Sequence, residues 1–294
     1  MDLRQAAVIG AGTMGAGIAQ VACQAGWRTR LYDAQAGALE RGIQRIRDFW
    51  AQGVARGRTS PAEVERWTGL LAPTPSLEAA VGAADLIIEA VPEDLDLKRR
   101  VFAELDRLAP AHALLATNTS SLSIAGIAAA TSRPGRVVGL HFFNPVPLMR
   151  LLEIVRHDRA DEAAVEDARR VGAAMGKECI VVRDAPGFAT SRLGIALGNE
   201  AARILDEGVA SAEDIDKAMR LGYGHPMGPL ELSDLVGLDV RHHITRYLHE
   251  TLGGERWNPP KVTERLVARG ELGKKTGKGF YDWSDGTARP RSDL

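Results

Sequence analysis

Ala6-Ala7-Val8-Ile9-Gly10-Ala11-Gly12-Thr13-Met14-Gly15 carries a short apolar run straight into a glycine-rich turn, and the helical pattern Met14–Gln24 follows at once. A strand, a tight turn and a helix N-terminus in that order make a seat for a dinucleotide pyrophosphate. Gly10 permits the turn, Gly12 lets the backbone approach the phosphates, and Gly15 allows the helix to lie close on the sheet, with Ala11, Thr13 and Met14 completing the loop. At 18 residues beyond Gly15, Asp33 ends the next apolar run, where a carboxylate accepts the adenosine ribose hydroxyls. The same charge repels a 2′-phosphate and Ala34 supplies no cation, so the pattern favours NAD over NADP. An ordinary glycine-rich turn with a surface aspartate is the alternative, and the combination of context and Asp33 weighs against it.

Short runs rich in Val, Ile or Leu recur at Ala6–Gly10, Thr29–Tyr32, Leu86–Glu89, Leu114–Thr117, Val137–Leu140, Leu152–Val155 and Ile180–Val182. Between them stand helical patterns such as Met14–Gln24, Gln35–Gln52, Leu95–Leu108 and Asp161–Met175. That alternation predicts an α/β domain over residues 1–184, a Rossmann-like doubly wound parallel sheet. Ser60-Pro61-Ala62-Glu63 reads as a capping box with proline at the first helical position, which adds a helical excursion after the second strand. Beyond Asp184-Ala185-Pro186-Gly187 the strand-like runs stop. Phe188–Asp206 reads as apolar around most of its circumference, Ser211-Ala212-Glu213-Asp214 opens another helix, and Pro229–Val236, Val240–Thr251 and Pro260–Ala268 follow. Residues 185–294 are therefore expected to form a smaller all-helical domain.

The 294 residues are 45% hydrophobic, enough for a sizeable core and too many for a disordered chain. Lys and Arg number 37 against 38 Asp and Glu, so no overall field recruits nucleic acid or an anionic membrane. Cys23 and Cys179 form no Cys-x-x-Cys pair and read as buried thiols of a reducing compartment. No apolar run approaches the ~18 residues of a membrane span, and the first strand begins without a preceding signal segment, so a soluble cytoplasmic protein is expected. His112, His157, His225, His242, His243 and His249 show no ligand spacing with cysteines or carboxylates, and no metal is expected.

His141-Phe142-Phe143-Asn144-Pro145-Val146-Pro147 ends a strand and turns at two prolines, exposing a polar pair at the carboxyl edge of the sheet, where ligands of such sheets bind. Glu153 lies in the next apolar run, where a carboxylate is out of place unless paired or exposed. A histidine and a glutamate in neighbouring strands are, by themselves, more often structural than catalytic.

Gly10–Gly15, Asn118-Thr119-Ser120-Ser121-Leu122, His141–Pro147, Glu153, Pro186-Gly187-Phe188, His225-Pro226-Met227-Gly228-Pro229 and Lys274-Lys275-Thr276-Gly277-Lys278-Gly279-Phe280-Tyr281 together resemble the L-3-hydroxyacyl-CoA dehydrogenase family. The resemblance is closest to its short bacterial 3-hydroxybutyryl-CoA members and spans nearly the whole chain. It implies an oxidoreductase of fatty acid metabolism that uses NAD to oxidise an L-3-hydroxyacyl-CoA, or reduces the 3-oxoacyl-CoA, in a cleft between the two domains. On that footing His141 matches the general base and Glu153 its orienting carboxylate, while Ser120 matches a serine that contacts the substrate near the nicotinamide. Glu93 and Lys98 match residues near the nicotinamide-side ribose, Asn144 a group near the carboxamide, and Lys275 a cofactor contact from the tail. Without the family, Glu93 and Lys98 read as a solvated pair at a helix start, Ser120 as a turn or cap serine ahead of Ser123–Ala130, and Lys275 as one more charge in a polar tail. The resemblance also implies a helical hairpin near residues 35–68, built from Gln35–Gln52 and Pro61–Thr68. Arg56 aligns there with a lysine that contacts coenzyme A, and Arg58 adds a second cation for its phosphates, although both also read as solvated charges on the hairpin.

One departure stands out. Where the family runs from Pro-Gly-Phe to an asparagine and an arginine, this chain has Ser191 before Arg192. Serine keeps a donor and an acceptor but is shorter and has one donor rather than two. A related NAD-dependent dehydrogenase of a small polar hydroxy acid, of the carnitine or gulonate type, would use His141 and Glu153 in the same way. The Arg56 and Arg58 pair argues for the acyl-CoA substrate. A non-catalytic NAD-binding protein is invited only by Ser191 and opposed by His141 with Glu153. A homodimer through the helical domain is expected, because the apolar face of Phe188–Asp206 exceeds what five small helices cover.

Overall fold

The apolar runs form the strands β1 (Gln5–Ile9) and, after α1 (Thr13–Gln24), β2 (Arg28–Tyr32). Then come α2 (Ala36–Ala55), α3 (Pro61–Leu70), β3 (Leu71–Thr74), α4 (Leu77–Val81), β4 (Leu86–Glu89), α5 (Leu95–Leu108), β5 (Leu114–Thr117), α6 (Ile124–Ala128), β6 (Val137–Phe142), β7 (Leu151–Arg156), α7 (Glu162–Ala174) and β8 (Glu178–Arg183). The computed structural model describes residues 3–294, and the chain divides after Ala185 into two units.

In the first unit one eight-stranded sheet runs in the order β3-β2-β1-β4-β5-β6-β7-β8. The doubly wound, Rossmann-like class expected from the sequence is what the chain adopts. The sheet is not parallel throughout, however, for β7 pairs antiparallel to β6, and β8 then runs parallel to β7. A parallel return needs a crossover of about a dozen residues or more, and the connection from Phe143 to Arg150 is too short for one. The edge strand β3 left no strand-like signal, because Leu71-Ala72-Pro73-Thr74 contains a proline and two exposed positions, both tolerated only at an edge. The short helix α4 was likewise not anticipated.

The middle strands are covered on both faces: every residue of β4, β5 and β6 is buried. Cys23 sits in this core, and burial pushes its thiol up to about 11, which leaves it an inert packing group. Cys179, expected to be buried too, is only partly so. The capping box closes as read, with Ser60 Oγ accepting from Glu63 N and Glu63 returning to Ser60 N at 2.8 Å. The Trp50 ring of α2 meets Trp67 of α3 at 5.9 Å between centroids and ties the two helices together.

The second unit holds α8 (Thr190–Asp206), α9 (Ala212–Tyr223), α10 (Pro229–Val236), α11 (Leu238–Leu252) and α12 (Lys261–Ala268). The expectation for Phe188–Asp206 fails in one respect. The helix α8 buries one face through Ile195, Gly198, Asn199, Ala201 and Ala202 and exposes Leu193, Ala196 and Glu200 on another. Its many Gly and Ala residues read as apolar without requiring burial. The tail is pinned by Asp234, whose carboxylate accepts from the Phe280 and Tyr281 backbone N–H groups and from Trp283 Nε1, each at 2.9 Å. Among the described residues no helix is long and apolar enough to cross a membrane.

Candidate active site

The turn after β1 is built for a phosphate. Gly10 adopts φ +101°, and a Cβ there would strike the Ala90 carbonyl. A Cβ on Gly15 would collide with the Gly10 carbonyl, whereas one on Gly12 would meet nothing within 4 Å, so the backbone beside Gly12 is open to a large group. No side chain caps the N-terminus of α1, which leaves its first N–H groups pointing at that space. Asp33 Oδ2 accepts from Ala11 N at 2.8 Å and its Oδ1 from Gln35 N at 2.9 Å, fixing the carboxylate at the end of β2. These features fit a dinucleotide.

The carboxyl ends of β4 and β5 add a second cluster. Glu93 Oε1 accepts from Thr119 Oγ1 at 2.6 Å, from Ser120 N at 3.0 Å and from Ser120 Oγ at 3.2 Å. Lys98 is not the solvated charge its position suggested: it is 1% exposed, with Nζ 2.6 Å from Glu89 Oε1 and 3.7 Å from Glu93 Oε2. Glu89 escaped the sequence reading. It closes β4, is fully buried, and also accepts from Thr117 Oγ1 and Val91 N, each at 2.6 Å. Burial pushes its carboxyl above the usual range against the pull of Lys98. The available signal was a charged residue ending an otherwise apolar strand.

At the end of β6, His141 faces Glu153 in the antiparallel register with β7. Directly opposite residues share a face, and His141 Nδ1 lies 2.8 Å from Glu153 Oε2, with His141 7% exposed and Glu153 fully buried. The Phe143 ring lies tilted against the imidazole at 4.5 Å. Asn118 Oδ1 accepts from Phe142 N at 2.9 Å, which fastens the end of β6 to the segment after β5. Asn144, joined to Pro145 by a cis peptide, lines a cavity of about 320 Å³ together with Thr13, Gln20, Phe49, Gln52 and Val146. Gln20 is buried there, and its Nε2 has no partner among the described residues.

The first unit thus brings Gly10–Gly15, Asp33, Glu93, Lys98, Ser120, His141, Asn144 and Glu153 to the carboxyl edge of one sheet. Arg56 and Arg58 stand exposed on the turn after α2, one helical turn beyond Gln52. Ser191 and Lys275 belong to the second unit, where Lys275 Nζ pairs with Asp239 at 2.5 and 2.7 Å.

A dinucleotide-binding sheet that carries an imidazole and a carboxylate at its carboxyl edge is the architecture of a nicotinamide-linked dehydrogenase. The chain belongs to the 3-hydroxyacyl-CoA dehydrogenase family: residues 5–185 match its NAD binding domain and residues 187–283 its C-terminal domain. It is 42% identical to the probable 3-hydroxybutyryl-CoA dehydrogenase of Bacillus subtilis (strain 168), over 98% of this chain and 100% of that protein. It is 44% identical to the 3-hydroxyadipyl-CoA dehydrogenase of Escherichia coli (strain K12), over 96% of this chain but 60% of that longer protein. The crystal structure of M. tuberculosis FadB2 matches it with a TM-score of 0.92 at 41% identity, over 95% of this chain and 99% of that one.

Proposed function

We propose that this protein interconverts an L-3-hydroxyacyl-CoA and its 3-oxoacyl-CoA with NAD, and that His141 handles the substrate proton. The contact between His141 and Glu153 carries the reading. With Nδ1 on the carboxylate side, Nε2 is the nitrogen that takes the proton of the 3-hydroxyl on oxidation, or gives it back on reduction. Glu153 favours the imidazolium that results and holds the ring in one tautomer. NAD, which the Gly10–Gly15 turn and Asp33 would hold, would accept the hydride that leaves C3 of the substrate on oxidation. Ser120, anchored to Glu93 through its backbone N–H, turns its hydroxyl from that carboxylate to donate to the substrate oxygen, and Asn144 orients the carboxamide. The family resemblance assigns Ser191 to the substrate and Lys275 to the cofactor, and Arg56 and Arg58 attract the coenzyme A phosphates.

3-Hydroxybutyryl-CoA is one candidate substrate. Relatives named for butyryl and adipyl substrates are about equally similar to this chain, so comparison of acetoacetyl-CoA with 3-oxoadipyl-CoA settles the preference. The working form is a cytoplasmic homodimer joined through the helical unit, supported by Leu193, 70% exposed, and Tyr223, 79% exposed. The test is NADH oxidation with acetoacetyl-CoA by the purified protein beside His141→Ala. Turnover that collapses in the variant is the expected result, and a wild-type protein that binds NADH yet turns over neither thioester would overturn the reading.

A further inference from the structure

The ion pair of Lys98 with Glu89 is placed where helix stability does not ask for it. Lys98 lies in the first turn of α5, a helix capped by Asp94 through Leu97 N. An ammonium there opposes the helix dipole, and burying a charge pair is often no better for stability than apolar packing. Glu89 is fixed independently of α5, because Val91 N and Thr117 Oγ1 donate to it from the segment after β4 and from β5. The sheet, rather than the helix, therefore sets where the ammonium sits. Glu93 depends on that ammonium in turn: its Oε1 is taken up by Thr119 and Ser120, and its Oε2 faces Lys98 Nζ at 3.7 Å.

We propose that Glu89 is a positioning residue for the cofactor, holding Lys98 so that the ammonium and the Glu93 carboxylate stay poised together at the nicotinamide-side ribose. This rests on the assignment of Glu93 and Lys98 to that ribose. If Lys98 lost Glu89, the ammonium would keep the Val91 carbonyl at 3.2 Å and, as its one carboxylate within 4 Å among the described residues, Glu93, which it would draw away from the sugar hydroxyls. Glu89 itself touches neither substrate nor cofactor and acts through Lys98.

The test is fluorescence titration of NADH into the full chain, with steady-state kinetics alongside, for Glu89→Gln, Lys98→Met and the double variant. Glu89→Gln is expected to weaken NADH binding about tenfold, the scale of one charged hydrogen bond, and to raise KM for NADH while KM for acetoacetyl-CoA stays within about twofold. Lys98→Met is expected to weaken NADH by a similar factor, and the double variant to bind no more weakly than Lys98→Met alone. A merely structural Glu89 would not show that dependence on Lys98. NADH binding within twofold of wild type in Glu89→Gln, or losses that multiply in the double variant, overturns the proposal while leaving the ribose assignment in place. Undiminished binding by Lys98→Met overturns the assignment and the proposal together. Should Glu89→Gln fail to fold, Glu89→Asp keeps the charge but shortens the reach, and a loss of about threefold or more is expected. Wild-type affinity in that variant equally overturns the proposal.

Discussion

Lys177 Nζ donates to the Val146 carbonyl at 2.6 Å, reaching back from the turn between α7 and β8 to the loop between β6 and β7. The same ammonium donates to the Met149 carbonyl at 2.8 Å. The loop that follows His141, carries Asn144 and lines the cavity is thus held by a side chain outside it, and burial holds that ammonium below its usual pKa.

Removing this tie should loosen the loop without touching the imidazole. Lys177→Met is expected to cost about 1–3 kcal/mol of stability and to raise KM for acetoacetyl-CoA several-fold, with a smaller fall in kcat. Urea denaturation and steady-state kinetics check both, and Lys177→Arg should recover part of each.

Glu153→Gln keeps the shape of the pair and removes its charge. Because the carboxylate offsets the positive charge that the ring gains when it takes the substrate proton, turnover in the oxidation direction should fall about 10²–10⁴-fold. Steady-state kinetics with 3-hydroxybutyryl-CoA and NAD check this. Turnover within about twofold of wild type would remove Glu153 from the mechanism.

At Ser191 the change runs the other way. On the role proposed for Ser191, an asparagine would offer the substrate a second donor, and donors well aimed at developing charge are worth about 10²–10³ in rate. Ser191→Asn is expected to raise kcat/KM for acetoacetyl-CoA about tenfold, and no gain would mean that the serine suits this chain's own substrate.

Acid should destabilise the first unit through Asp106. Burial tends to raise its pKa, but hydrogen bonds from Ser132 N at 2.7 Å and Arg133 Nε at 2.8 Å outweigh it, and the net shift is downward. A carboxylate depressed in the folded state contributes stability that is present above its unfolded pKa of about 3.9 and is lost as pH falls through the folded value. Asp106→Ala should cost about 1–3 kcal/mol at pH 7 and progressively less as pH falls below about 3.9, as measured by urea melts across that range.

Five of the eight strands match their apolar runs to within a residue at each end, because a strand covered on both faces has to be written in Val, Ile and Leu. The edge β3 has no such duty, and Pro73 hides it. The direction of β7 is a property of the connection and not of the strand's composition, so an alternation of apolar runs could not disclose it. The glycine turn and Asp33 were legible because their chemistry is local in the chain. The neighbourhood of Lys98 was not: its partner Glu89 stands nine residues earlier, and only the fold shows that the space between them is closed to water.

The reversal of β7 makes the alignment of His141 with Glu153 a matter of reading frame. Successive residues of a strand point to opposite faces, so a slip of one position between β6 and β7 would send the carboxylate through the sheet to the other side. Residues inserted into the loop after Asn144 would leave the frame intact, whereas one residue inserted within β7 ahead of Glu153 would strand the imidazole with an aliphatic neighbour. In this chain, length is therefore forgiving in the loop and unforgiving in the strand only a few residues away.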